Sequence, residues 1–533
     1  MPLGYVALVL HAHLPFVRHP EYDYFLEEEW FFEAVTETYL PLIEIFYRML
    51  ADRVPFELTM TISPPLASML EDPLLQERCL QHLDKLLELA GRECMRNRGD
   101  GHLAYLADFY RNRFHVARDI YCNRYQCNLL NAFRKYQRLG VLEIVTCGAT
   151  HAFLPNYSTQ PEIVRAQVRI GADHYRRVFS RDPLGIWLPE CAYFPGVDEI
   201  LADENIHFFF TDAHGILHAT PRPLYGTFAP VLCPDSGVAA FGRDLQSSRQ
   251  VWSSREGYPG DPDYREFYRD IGYDLEQEYI APYVQPNGDR KNTGIKYHRI
   301  TGDVDLGAKA TYDPYRARQK ADLHAGNFMF NRERQIEYAH AMMQGRPPIV
   351  VAPYDAELFG HWWYEGPLWL EFLIRKSAFD QNVFGLITPA NYLRREERHQ
   401  LCTPSFSSWG DQGYASYWLN GSNDWIYRHL HEMGRRMVAA SDRYGDATLL
   451  QRRLLNQAAR ELLLAQSSDW AFIMTAGTVV DYAVDRTRRH ASRFFKLLDA
   501  LGGESVDQAW LGKVEYLDNI FPDVDYRVFR SSG

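Results

Sequence analysis

The feature that most constrains this chain is a repeated pattern: a short apolar run that stops abruptly at an acid or a histidine. Its fullest example is Ile349-Val-Val-Ala-Pro-Tyr-Asp-Ala-Glu-Leu-Phe-Gly-His-Trp-Trp-Tyr-Glu-Gly366, entered from Pro347-Pro348. The apolar start reads as a strand buried on both faces, as in a parallel sheet. The rest turns to Asp355, Glu357, His361, Trp362, Trp363, Tyr364 and Glu365. A carboxylate at the carboxyl end of a buried strand stands where barrels and open α/β sheets place their chemistry. Acids beside flat aromatic rings suit a sugar cleft, because sugars offer apolar CH faces and hydroxyls together. A surface loop with core aromatics is the plainer alternative.

The same pattern recurs along the chain. Tyr5 to Leu10 delivers His11-Ala-His13-Leu-Pro15, with two histidines at i and i+2 on one side of an extended segment. Phe56 to Ile62, Leu142 to Cys147, Leu184 to Leu188, His207 to Thr211 and Gly237 to Phe241 are further strands. They end near Thr150-His151, Glu190, Asp212 with His214, and Arg243-Asp244, respectively, for the last four. Helical spacing separates them, which predicts a parallel sheet with its site on the carboxyl rim. Leu74 to Leu139 is helix-like and reads as an insert. Trp252 to Tyr273 begins a long aromatic excursion, of the kind that is usually functional.

After about Thr403 the alternation ends. Helices are predicted over Asp424–Tyr444, Ala447–Ala465, Val479–Leu501 and Ser505–Asn519, broken by Ser467-Ser468-Asp469-Trp470. The expected fold is therefore α/β. Residues 1–70 and 140–402 form a barrel, 71–139 a helical insert, and 403–533 a C-terminal all-helical domain.

Composition narrows the function. The 533 residues carry a formal net charge of −12, which argues against nucleic acid or an anionic membrane as partner. Aromatic residues make up 14%, a surplus that fits a polysaccharide binder or a large core. No apolar run approaches the ~18 residues of a membrane span. The first strand lacks the basic leader and cleavage site of a signal peptide. The eight cysteines are scattered without a CxxC pair, which suits reduced cytoplasmic thiols and disfavours a zinc ribbon.

Glu190 and Asp355 lie 165 residues apart, each just past a strand. Two carboxyl groups flanking a glycosidic bond are the minimum machinery of glycoside chemistry. Spacing alone does not tell nucleophile from acid. The ordered set His11-Ala-His13-Leu-Pro15, Cys147-Gly-Ala-Thr-His151, Trp187-Leu-Pro-Glu190-Cys-Ala-Tyr193, Asp355-Ala-Glu-Leu-Phe-Gly-His-Trp-Trp363 and Trp409…Trp418-Leu-Asn420 resembles glycoside hydrolase family 57, and within it the α-1,4-glucan branching group. The resemblance covers nearly the whole chain. It implies an incomplete (β/α)7 barrel with a helical insert and a C-terminal helical domain. It also implies retaining chemistry with no metal or organic cofactor.

By the same resemblance Glu190 is the nucleophile and Asp355 the acid/base. His11, His13 and His151 line the donor subsite, with His361 also among the substrate-binding residues. Trp30, Trp363, Trp409 and Trp418 stack glucose units. Asp469 faces the acceptor, and Arg265 orients the nucleophile. The implied partner is α-1,4-glucan, amylose or glycogen, as donor and acceptor, for a cytoplasmic monomer or small homo-oligomer.

One departure bears on the activity. The branching group carries a mobile loop over the site with a tyrosine at its tip. The matching stretch here, Pro230 to Val238, holds none; Tyr225 and Phe228 are the nearest aromatics. Poorer exclusion of water favours hydrolysis over transfer. An α-amylase-like hydrolase is thus the alternative. A metal-dependent deacetylase built on His11, His13, His151 and a carboxylate, and a non-catalytic glycogen-binding protein, are further readings.

Overall fold

The computed structural model describes residues 2–253, 256–502 and 507–531. Seven parallel strands form its centre: β1 (Gly4–Ala12), β2 (Leu58–Ile62), β3 (Leu142–Cys147), β4 (Gly185–Trp187), β5 (Phe208–Thr211), then β7 (Ala239–Gly242) and β8 (Ile349–Asp355). The intervening β6 (Val231–Leu232) runs antiparallel to β7. Two short strands, β9 (Phe384–Leu386) and β10 (Gln400–Leu401), complete the sheet. Neighbours follow the order β10-β6-β7-β5-β4-β3-β2-β1-β8, with β9 pairing with the first residues of β1. The sheet curls into an incomplete (β/α)7 barrel, as expected. Its two ends meet without a ladder, where the Asp244 N–H donates to the Val351 carbonyl at 2.8 Å.

All nine residues of β1 are buried, and so are all five of β2. This is why they read as continuous apolar runs and not as alternating ones. Register then sets the rim. His11 lies opposite Asp355 of β8 and Thr61 of β2, and Cys147 lies opposite Trp187. The residues predicted to end each strand therefore converge at one end of the barrel.

Between β2 and β3 stand the helices Pro73–Arg96, Gly101–Arg118 and Leu130–Arg138. Asp72 caps the first by accepting from Leu75 N–H, and a proline follows at its first position. Asp100 caps the second through His102 and Leu103.

The C-terminal region is helical over Asp424–Arg443, Leu449–Ala465, Ser468–Ala476, Val480–Asp499 and Gln508–Leu517. Thr448 and Gln451 form a reciprocal capping box on the second of these. The predicted start of the last helix at Ser505 lies outside the described residues. The Ser467–Trp470 break is a change of direction between two helices. There Ser467 bridges to Ala152, and the Ser468 N–H donates to the His151 carbonyl at 3.0 Å. The C-terminal region thereby reaches the barrel rim. Among the described residues, no helix is long and apolar enough to cross a membrane.

Candidate active site

Glu190 follows β4 in a left-handed conformation (φ 61°, ψ 26°), and Cys191 beside it also has positive φ, at 50°. Two consecutive non-glycine residues in this region store backbone strain, which persists only where the surroundings enforce it. They do so here. The Trp409 indole Nε1–H donates to Glu190 Oε2 at 2.8 Å, the Ser468 hydroxyl donates to Oε1 at 2.8 Å, and the Trp409 N–H donates to the Glu190 carbonyl at 2.9 Å. Burial pushes the Glu190 carboxyl up to about 7, against the lowering effect of the Trp409 and Ser468 bonds.

Asp355 ends β8. Burial raises its proton affinity well above the usual carboxylate range, and the charges of Glu357 and then Glu190 add to this. Arg243, paired with Asp212 at 2.6 Å, pulls the other way. Glu357 is itself pushed up to about 7 by burial. It accepts from the Tyr39 hydroxyl and from the His13 N–H at 3.3 Å. Tyr39 sits at the end of the π-helical turn Ala34–Tyr39, a local widening common at functional sites.

The histidines form a relay ending at Glu190. His11 and His151 meet through their Nε2 atoms at 3.0 Å, and His151 Nδ1 lies 2.8 Å from Ser468 Oγ. Because Ser468 gives its proton to Glu190, His151 must carry its proton on Nδ1 and accept from His11 on Nε2. Burial holds both rings well below the usual histidine range, so both are neutral. His11 stacks on Trp187 at 4.5 Å, and His151 stacks on His13 at 3.8 Å.

His13 bonds to Ser63 Oγ at 2.8 Å through Nδ1 and to Asp469 Oδ2 at 3.1 Å through Nε2. Burial alone would raise the Asp469 carboxyl, but the charge and hydrogen bond of His13 outweigh it and hold Asp469 at about 2.

His13, His151 and Asp469 bring donor atoms within 4.8 Å of one another, so a metal ion is the chemistry to test here. The two imidazoles are parallel to within 13° and stacked. Their lone pairs therefore lie in separate planes and do not aim at a common point, and His13 Nε2 is already engaged by Asp469. The donor set fits hydroxyl recognition better than a tetrahedral cation.

Several expected contacts fall elsewhere. Arg265 does not reach Glu190. Its side chain is buried against the Tyr364 ring at 3.8 Å and bonds to Glu37 Oε1 at 3.3 Å. His361 bonds to the other oxygen of Glu37 at 2.7 Å. Trp363 is 2% exposed and packs among Tyr264, Phe359 and Trp369, so it belongs to the core; its neighbour Trp362, 56% exposed, is the open one. Trp418 is 2% exposed and stacked on Phe153 at 4.9 Å, which also makes it a core residue. Trp30 is half-buried and meets the Tyr482 ring in a T-shaped contact at 5.9 Å. Trp409 does stand at the site, gripping Glu190.

The Pro230–Val238 stretch is not over the site. Leu232 pairs with Ala239, the first residue of β7, and Ala239 pairs with Phe208, the first residue of β5. The turn therefore lies at the amino ends of the strands, opposite the rim, with Ser236 bonded to Asp198.

Ser468, Tyr39, Glu357, Arg243 and Trp187 were not singled out as site residues from sequence. Glu357 and Arg243 could have been, because each stands one or two residues past a strand end. Ser468 comes from 278 residues away from Glu190; the Ser467-Ser468-Asp469-Trp470 break, with its acid and indole, marks its segment as a candidate loop facing the cleft, but nothing singles out the serine itself.

Residues 7–404 match the sequence profile of glycosyl hydrolase family 57, and residues 429–529 match that of the 1,4-α-glucan branching enzyme C-terminal region. The chain is 32% identical to the 1,4-α-glucan branching enzyme TK1436 of Thermococcus kodakarensis, over 98% of this chain and 78% of that one. Among solved structures, the α-amylase AmyC of Thermotoga maritima superposes with a TM-score of 0.94 at 46% identity, covering 100% of both chains. A family 57 branching enzyme of Pyrococcus horikoshii superposes with a TM-score of 0.89 at 31% identity, covering 100% of this chain and 97% of that one. On these grounds the chain belongs to glycoside hydrolase family 57.

Proposed function

We propose that this chain is a retaining 1,4-α-glucan branching enzyme that cuts an α-1,4-glucan and re-attaches the piece through an α-1,6 linkage. The observation that carries this is the convergence of Glu190 and Asp355, two buried carboxyls that follow β4 and end β8, on one rim of the barrel. Burial raises both carboxyls, Glu190 to about 7 against the lowering bonds of Trp409 and Ser468, and Asp355 well above the usual carboxylate range. The two donors that stabilise a charged Glu190 support it as the nucleophile, with Asp355 as the acid.

In the first step Glu190 Oε attacks the anomeric carbon. The glycosidic C–O bond breaks, and Asp355 gives its proton to the leaving oxygen. The product is a covalent glycosyl ester on Glu190. Asp355, now ionised, then takes the proton of a glucose 6-hydroxyl, whose oxygen displaces Glu190 and forms the α-1,6 bond. Trp409 and Ser468 hold the carboxylate in line and lower its basicity enough for it to be ionised. His11, His13, His151 and Asp469 form a buried donor–acceptor surface for sugar hydroxyls. The helical insert 71–139 and the helical region 403–533 are taken as units around the barrel, and cytoplasmic glucan is the substrate pool.

A hydrolase of the α-amylase type is the second reading. It is favoured by the 46% identity to AmyC over the whole chain, against 31% to the Pyrococcus horikoshii branching enzyme. Water then takes the place of the 6-hydroxyl on the same glycosyl ester. Incubation with amylose in the presence of a chelator separates the two readings. New α-1,6 linkages by proton NMR with few free reducing ends support branching. Reducing ends without α-1,6 linkages show hydrolysis.

A further inference from the structure

The helix that supplies Ser468 brings a second side chain to the same rim. In Ser468–Ala476, Phe472 follows Ser468 by four residues. The two therefore share one face of the helix, one turn apart, with a rise of ~6 Å between them. Ser468 is spent on Glu190 Oε1 at 2.8 Å. Phe472 is left 43% exposed, while Trp470, Ala471, Ile473 and Met474 of the same helix are buried.

Phe472 is held in place. Its ring stacks on Tyr417, with centroids 5.2 Å apart and planes within 21°. Trp418 adjoins the pair, 6.5 Å from Phe472 and itself stacked on Phe153. A polar clamp fastens the loop to the helix. The Tyr417 carbonyl accepts from Thr475 Oγ1 at 2.7 Å and from Asn423 Nδ2 at 2.9 Å, and Asn420 Nδ2 donates to Thr475 Oγ1 at 2.9 Å. The clamp accounts for Asn420 in the Trp418-Leu-Asn420 stretch. The same loop carries Trp409, which holds Glu190 by its indole and its backbone. The two segments that grip the nucleophile are thus the two that build the stack.

The stack has a polar edge as well. Among the described residues, the Tyr417 hydroxyl has no hydrogen-bond partner. An α-1,4-glucan meets such a surface with the apolar CH faces of its rings and with its hydroxyls. Reaction chemistry fixes which part of the chain arrives there. Asp355 protonates the leaving oxygen, so the glucose unit that departs lies on the Asp355 side. The helix Ser468–Ala476 enters the site at Glu190 and His151 instead. Its exposed ring therefore serves the part of the chain that remains on the nucleophile.

We propose that Phe472 and Tyr417 form a stacking subsite for the α-1,4-glucan segment that stays on Glu190, beside the reacting unit, and that they select donors long enough to reach it. The inference rests on the glucan reading above and holds for transfer and hydrolysis alike.

The test is calorimetric titration of maltoheptaose into the full chain carrying Glu190→Gln, which binds without turnover. Adding Phe472→Ala should weaken binding roughly 3- to 10-fold, the loss expected for an aromatic contact. Phe472→Tyr keeps the flat ring and should restore it. With Glu190 intact, Phe472→Ala should raise KM for maltoheptaose and leave the acid limb of the pH profile in place, because both bonds to Glu190 remain. Maltoheptaose affinity unchanged by Phe472→Ala overturns the subsite alone. So does a loss that Phe472→Tyr shares, or an acid limb that moves, since either makes Phe472 a support for Ser468. No binding by the Glu190→Gln chain before any change at Phe472 overturns the glucan reading and the subsite with it.

Discussion

Trp409→Phe removes one hydrogen bond from the nucleophile and leaves most of the ring in place. The lost contact is the indole N–H to Glu190 Oε2 at 2.8 Å, one of the two side-chain bonds that oppose the burial of this carboxylate. A hydrogen bond to a charged group contributes about 1.5–3 kcal/mol. At ~1.4 kcal/mol per pH unit, its loss raises the carboxyl from about 7 to roughly 8–9. The ionised share at pH 7 then falls from about half to between a tenth and a hundredth, a loss of about 5- to 50-fold in kcat/KM. The assay is the pH profile of kcat/KM on maltooligosaccharides. Glu190 must be ionised and Asp355 protonated, so the profile is bell-shaped and its acid limb reports the carboxyl with the lower value. The variant should move that limb upward by a unit or more and recover much of its activity at higher pH. An acid limb that stays in place while activity falls uniformly would refute the reasoning and leave Trp409 as a stacking residue only.

Ser468→Ala should move the acid limb in the same direction, because Ser468 donates the other bond to Glu190; a shift only in KM would remove it from the relay. Glu190→Gln should abolish turnover yet raise stability at pH 8. The folded-state carboxyl is raised from 4.5 to about 7, so the folded chain holds an extra proton between those values. Stability from this group is therefore lost as pH rises through 7, by at most ~3 kcal/mol, and the amide escapes that loss. Urea midpoints at pH 5 and pH 8 check the sign, and a variant destabilised at pH 8 contradicts it. Trp363→Ala and Trp418→Ala should each cost about 3–5 kcal/mol through a core cavity; normal unfolding midpoints with a raised KM for amylose would return them to the glucan. Arg265→Lys should leave the acid limb unmoved, since the guanidinium serves Glu37.

Much of the barrel is legible in the chain because its strands are buried on both faces and so appear as unbroken apolar runs closed by polar residues. The same physics hides β6, β9 and β10, which are two or three residues long and carry no period. The antiparallel step at β6 mattered most. It turns Pro230–Val238 to the far end of the barrel, and nothing in its composition announces that reversal. Glu190, Asp355, His11 and His13 were readable because each follows its strand directly. Trp362 and Trp363 show the limit. The two indoles are adjacent in one motif, and only the packing of Tyr264, Phe359 and Trp369 decides which is buried. Ser468 shows another limit. Its place beside Glu190 depends on the C-terminal region docking at His151, a contact between segments 317 residues apart.

The most direct test of the central claim is covalent trapping. The chain is incubated with a 5-fluoro-maltosyl fluoride, which forms the glycosyl ester quickly and releases it slowly, and is then digested and mapped by mass spectrometry. The account predicts that the added sugar mass sits on the peptide carrying Glu190, and that Glu190→Gln takes up no label. A label on the peptide carrying Asp355, or turnover with inversion at the anomeric carbon and no label, would contradict it.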